Sequence, residues 1–219
     1  VELAQAPAAG PSGVVGQISN TSGSVSIIRA DGSRVDVGAG AQIFEGDLIV
    51  TETGADVEVE FADGTNAFLD QEGRMLVERV TPDPAPGESS AFFVVLEGAF
   101  TFASPKFADG SAGKIDVRTP VATINVEGGR IAGRAAPEAE LNLYTLIRNF
   151  DGSLGRALVS TTAGSLALTG ELQAAEVFSL FRAPDGDQIS VNQLGELIGE
   201  GTLEFINSGP SDEIAELDT

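Results

Sequence analysis

The sequence predicts an all-β protein, mostly antiparallel, of a sandwich, barrel-like or stacked-sheet kind, with one short helix near its C-terminus. Three observations predict it. Glycine and proline are frequent, 27 and 10 in 219 residues, while only 21% of residues are charged, too few to clothe the wet faces of a helical bundle. Asp-Gly, favoured in tight turns because both residues accept positive φ, recurs at Asp31-Gly32, Asp63-Gly64, Asp109-Gly110, Asp151-Gly152 and Asp185-Gly186. Around several of these turns, apolar and polar residues alternate with the period of two that a half-buried strand requires.

Residues 1–13, rich in Ala and Pro, read as a flexible arm. Residues 23–30 and 34–37 flank the first Asp-Gly and form a hairpin. In the stretch 56–61, Val57, Val59 and Phe61 share one face, while Glu58 and Glu60 share the other, which with Glu45 reads as solvated. Asp47 and Asp63, beside Gly46 and Gly64, read as turn formers. Pro82, Pro84 and Pro86 with Gly87 mark an internal boundary. It divides a β domain over 14–182 into lobes 14–81 and 90–182 around a connection at 82–89.

Residues 91–96 and 98–103 carry four phenylalanines, Phe92, Phe93, Phe100 and Phe102. Strands this apolar are covered on both sides or lie at a sheet junction, and they form the hydrophobic centre. A second reading of the same run is a sticky edge that recruits another chain, with Phe92, Phe93, Val94, Val95 and Leu96 as the interaction candidates.

Further strands follow at 114–118 and 123–126, on either side of a Thr119-Pro120 break. Two more, at 141–148 and 157–160, bracket Asp151-Gly152. Ser190 and Gln193 have the spacing of a capping box, and Val191, Leu194, Leu197 and Ile198 make an apolar stripe, so the helix begins here. Leu203 to Ile206 returns as a final strand, which makes 183–207 a helix and strand, and 208–219 is an acidic, solvated tail.

Charge and composition exclude much chemistry. With 12 basic and 33 acidic residues the net charge is -21, which repels nucleic acid and anionic membranes. Every basic residue lies at or before Arg182, leaving the acids beyond it without an offsetting cation in sequence. The absence of His and Cys removes disulfides, Ser/His/Asp and Cys/His sites, and zinc held by imidazole or thiolate. The longest uninterrupted apolar run, 91–96, is far short of a membrane span.

What remains is carboxylate chemistry. No pair of acids is singled out as a general acid and base, so the sequence reads as non-enzymatic. Calcium, which prefers hard oxygen ligands, is the one cofactor the composition would suit. Asp185 and Asp187 in Pro184-Asp185-Gly186-Asp187-Gln188 are the densest candidates for it, although Asp-Gly-Asp reads first as a turn.

Several segments in combination resemble the FecR domain family. These are Val15-Gly16, Gly23-Ser24-Val25, Arg29-Ala30-Asp31-Gly32, Phe44-Glu45-Gly46-Asp47-Leu48-Ile49-Val50-Thr51, and Val57-Glu58-Val59-Glu60-Phe61-Ala62-Asp63-Gly64-Thr65. In the second half, Leu96-Glu97-Gly98-Ala99-Phe100-Thr101-Phe102 and Val117-Arg118-Thr119-Pro120-Val121-Ala122-Thr123-Ile124 extend the likeness to about residues 14–182. Where the family continues with a Gly-Ile-Arg-Gly-Thr pattern, this chain reads Asn125-Val126-Glu127-Gly128-Gly129, and Arg130 is the displaced cation.

The likeness is greatest to the FecR-like segments near the start of large secreted bacterial proteins of the RTX and cadherin-repeat type. The resemblance implies a β-rich, non-catalytic module outside the cytoplasm. The role expected from it is structural: an interaction protein of the bacterial surface, whose partners are other surface proteins or its own copies in an oligomer or filament built by strand or arm exchange. The alternative it implies is a periplasmic sensing or regulatory domain that binds calcium or a glycan. In the family's regulatory members such a domain relays a signal to a sigma factor.

Overall fold

Among the described residues, period-two alternation becomes 17 strands in two sheets that share one member. The computed structural model describes residues 13–85, 87–107 and 110–208; residues 1–12 of the predicted arm, 209–219 of the predicted tail, and Asp109 of the third Asp-Gly lie outside the described residues.

The first sheet has the order β4 (Gln42–Ile43), β1 (Gly16–Ser22), β6 (Asp56–Phe61), β7 (Asn66–Leu69), the second half of β9 (Ala91–Ala103), β12 (Arg130–Ala135), β13 (Asn142–Ile147), β16 (Gln173–Val177) and β17 (Asp185–Gln188). The second runs β3 (Arg34–Val37), β2 (Val25–Ile28), β5 (Leu48–Thr51), β8 (Arg74–Val80), the first half of β9, β10 (Lys114–Arg118), β11 (Thr123–Glu127), β14 (Arg156–Ser160) and β15 (Ser165–Leu168). Every ladder is antiparallel except β9 with β10. Neither sheet closes into a barrel.

The two phenylalanine-rich segments are one continuous strand. Around Arg74↔Glu97 and Leu69↔Phe100, β9 leaves the second sheet and enters the first. Gly98 sits at the crossing with φ +102°, a conformation that only glycine adopts readily, and a Cβ there would meet Gly73 Cα at 2.6 Å. The inner faces then meet in a single core containing Ile18, Val57 and Phe102 from one sheet and Ile27, Ile49 and Phe93 from the other. Its centre is aromatic: Phe93 lies 4.7 Å from Phe61 and 4.8 Å from Phe102 between ring centroids.

Turn chemistry follows the sequence at the first two Asp-Gly pairs. Gly32 and Gly64 take positive φ in the β2–β3 and β6–β7 hairpins, and Asp63 accepts from Thr65 N at 3.0 Å. Gly152 does the same, but its turn carries the chain from β13 in one sheet to β14 in the other, so no hairpin forms. Asp185-Gly186 is not a turn: it lies within β17, pairing with β16, where glycine admits Leu166 at 3.1 Å from a would-be Cβ.

The C-terminal segment departs from expectation in a second way. α1 (Val191–Ile198) starts at Ser190 with the predicted capping box, and it buries Leu194 and Ile198. Leu203 to Ile206, expected as a strand, belongs to a second helix, α2 (Glu200–Ser208). Alternation of Leu203 with Phe205 suited a strand, but Thr202 and Phe205, three apart, are the buried pair, and this is helical spacing. The two helices cover the outer face of the first sheet and make a second apolar cluster from Ala132, Leu143, Ile147, Leu194 and Ile198. This is why all six residues of β13 are buried. Glu58 is buried for a related reason: it is not on a solvated face, because its cross-strand neighbour Phe68 stacks on Phe205 of α2.

No helix among the described residues is long and apolar enough to cross a membrane.

Candidate functional site

The residues that carry the family likeness are scaffold. Gly46-Asp47 is a turn in which buried Asp47 accepts from Phe44 N at 2.8 Å and pairs with Arg29, whose guanidinium lies 5.1 Å from the Phe44 ring. Asp63 also receives the hydroxyls of Thr65 and Ser90 at 2.7 and 2.6 Å, tying the β6–β7 turn to the start of β9. Thr119 closes the β10–β11 turn through Thr119 N to Ala122 O at 2.9 Å, and its hydroxyl meets that of Tyr144 at 2.6 Å. Burial pushes the Tyr144 phenol up, with the Thr119 hydrogen bond acting weakly against it.

A different place on the molecule has unspent chemistry, the helical cover of the first sheet. α2 is held at its two ends by side chains of opposite charge from the sheet side. At its start the cap position is Gly199, which has no side chain to offer. Asp70 supplies the missing acceptor from after β7: Thr202 N donates to Oδ2 at 2.9 Å and Thr202 Oγ1 at 2.8 Å. Glycine at 201 leaves the space, since a Cβ there would stand 3.0 Å from both Asp70 oxygens.

Near the other end, Arg130 of β12 donates from Nη2 to Ile206 O at 2.8 Å. This polarity, anion at the N-terminus and cation at the C-terminus, is the one a helix dipole favours. Arg130 is 4% exposed, its guanidinium lies 3.9 Å from the Phe150 centroid, and Nε and Nη1 are buried with no hydrogen-bond partner. Burial lowers its pKa to about 10, so it remains a cation at neutral pH.

Arg130 therefore does not stand in for the displaced arginine of the family pattern. Glu127 is in the second sheet, where Arg156, at 2.8 Å, and then Lys114 hold its carboxyl below the usual range, whereas Arg130 starts a strand of the first sheet.

Hollows border the cover, two of them beside Asp70 and Arg130. One, of about 380 Å³, is lined by Asp70, Glu72, Glu97, Arg134, Glu140 and Glu196 among others. The other, of about 290 Å³, is lined by Arg130, Arg148, Phe150 and Glu171 together with Leu172, Val191 and Leu203 among others. Sequence reasoning missed both, because they are assembled from segments far apart in the chain.

The candidates chosen from sequence lie elsewhere. Asp185 and Asp187 are on the exposed edge strand β17, with Asp185 paired to Arg182 at 2.8 Å. No group of three His, Cys, Asp or Glu placed to hold a metal exists among the described residues. From Phe92 to Val94 the run offers no free edge, because β9 is flanked there by β8 and β10; the β10 ladder stops at Val94, and Val95 pairs with β8. Phe93 and Val95 point into the core, Phe92 lies under Arg79 at 4.2 Å, and Leu96 is exposed.

Residues 47–145 match the family model described as FecR protein. The FecR match begins at Asp47, spans all of β9 and ends within β13, so it includes most of the scaffold motifs above. Two solved structures of a candidate anti-sigma factor from Parabacteroides distasonis ATCC 8503 are similar, at 17% and 18% identity with TM-scores of 0.52 and 0.51. Each likeness covers 67% of this chain and 62% of that one, so a good third of that protein has no counterpart in the likeness, and at this identity it is the fold that is shared. No curated protein matches the chain.

Proposed function

We propose that this chain is a non-enzymatic, extracytoplasmic regulatory module, a FecR-like domain that senses by binding. The observation that carries the reading is the FecR match across 47–145. The fold shared with an anti-sigma factor candidate supports the same class, and both weigh for the regulatory alternative over the structural surface role that sequence alone favoured. The scaffold is consistent with it: the titratable residues of the family motifs are engaged in turns and buried pairs rather than converging in a cleft.

The test is transcriptional. Deleting the gene in its host and sequencing RNA should move a discrete set of transcripts sharing one promoter element, restored by the intact gene returned in trans. Unchanged transcription together with an altered cell surface would defeat the proposal.

A second reading, self-association by strand addition, rests on β15. This edge strand, Ser-Leu-Ala-Leu, has none of the charges that Arg34 and Asp36 place on β3 or Asp185 and Asp187 place on β17. Light scattering with and without calcium decides it: growth in mass that Ala167→Lys abolishes supports the reading, and a monomer in both conditions removes it.

A further inference from the structure

We propose that the hollow beside Arg130 is a binding site for a monocarboxylate with a short apolar body. The proposal goes beyond the regulatory reading in naming a site and a class of ligand, and its test does not read transcription.

Arg130 is the basis. Its guanidinium is more than nine-tenths buried, yet only Nη2 has a hydrogen-bond partner. An arginine has five N–H donors, and leaving charged donors unmet inside a protein is costly. No acid among the described residues meets them. Elsewhere Arg29, Arg34, Arg148, Arg156 and Arg182 all sit against carboxylates.

The surroundings fix the class of ligand. Phe150 covers one face of the guanidinium, so an anion must approach in its plane, as a carboxylate does. Leu172, Val191, Leu203 and Ile206 add an apolar wall, and about 290 Å³ suits a ligand of a few carbon atoms. Glu171 already neutralises Arg148 at 2.8 Å, and the overall charge is -21, so a monoanion suits the site where a phosphate dianion would not. Two sources can supply this chemistry: a free carboxylic acid, or the chain's own acids that follow α2 in sequence, Asp212, Glu213, Glu216 and Asp218.

The experiment follows the Nε–Hε signal of Arg130 by proton–nitrogen NMR on the full chain, assigned by its loss in Arg130→Lys. Butyrate should shift that signal to saturation, while sodium chloride at equal ionic strength should not. Val191→Trp, at a half-exposed position that leaves Arg130 intact, should fill the hollow and abolish the response. In a second arm the four acids are changed to Asn and Gln together; a shift of the same signal without added butyrate assigns the site to the chain's own carboxylates. If neither butyrate nor neutralisation moves the signal, Arg130 is only a clasp for α2 and the proposal is overturned.

Discussion

Asp70 and Thr202 are 132 positions apart, yet one oxygen of Asp70 accepts both the backbone N–H and the hydroxyl of Thr202. The contact gives α2 the capping acceptor that Gly199 cannot provide and anchors the C-terminal helices to the first sheet.

Asp70→Ala should therefore cost about 1–2 kcal/mol, the usual range for loss of an N-cap acceptor. Thermal unfolding should begin earlier, and amide exchange across 200–208 should quicken more than exchange in β9. Asp70→Asn keeps an acceptor oxygen and should lose less. Equal exchange in wild type and Asp70→Ala would show that α2 is held by its apolar contacts alone.

Gly98 is the second point of leverage. Alanine there must take φ +102° and displace the backbone of Gly73 from 2.6 Å, with no flexible side-chain end to yield. Gly98→Ala should cost about 2 kcal/mol or more in urea unfolding. Because β9 belongs to both sheets, that loss should appear in a single transition; a separate loss confined to one sheet would contradict the shared-strand role.

Tyr144 is the only tyrosine and there is no tryptophan, so absorbance at 295 nm reports it alone. Burial raises its folded pKa above the unfolded value near 10, so the folded state holds the proton more tightly and stability falls as pH rises beyond 10. Tyrosinate should therefore emerge only together with alkaline unfolding. Tyr144→Phe removes the 2.6 Å contact with Thr119, and should cost about 1 kcal/mol at pH 7 while losing the alkaline penalty. A titration centred on pH 10 with the fold intact would refute this assignment.

How far the sequence carried depended on whether each signal was local. The face made by Val57, Val59 and Phe61, the Asp31-Gly32 hairpin and the Ser190 capping box are all written within a few residues, and the structure has each of them. The apolar phenylalanine segments suit strands covered on both sides, a sheet junction or a sticky edge alike; the structure has the junction, and their fusion into one strand depends on Gly98 fitting against Gly73. The helical cover was not legible. Leu203 and Phe205 alternate as a strand would, Glu58 looks wet until Phe205 is placed on Phe68, and nothing near Arg130 in sequence reveals Ile206 above it. Those relationships are tertiary, and a single sequence gives no measure of them.

Asp56 offers a test of how charge is distributed beneath the cover. Burial first, and then the charges of Asp70, Glu58 and Glu204, raise its carboxyl above the ordinary value of 3.8. The folded state then binds that proton more tightly than the unfolded chain, so the contribution of Asp56 to stability is lost as pH rises from 3.8 through the raised value. At pH 7 it is ionised and opposed by its three acidic neighbours. Asp56→Asn should consequently raise the melting temperature at pH 7 by roughly 1–2 °C, a modest figure because solvent screens a partly exposed group. The gain should shrink in 0.5 M salt, where repulsion is screened, and vanish at pH 3, where Asp56 is protonated in both states. A gain that persisted unchanged at pH 3 would trace to packing or strand propensity instead of charge, and the acidic neighbours would then have no part in setting the stability of the α2 interface.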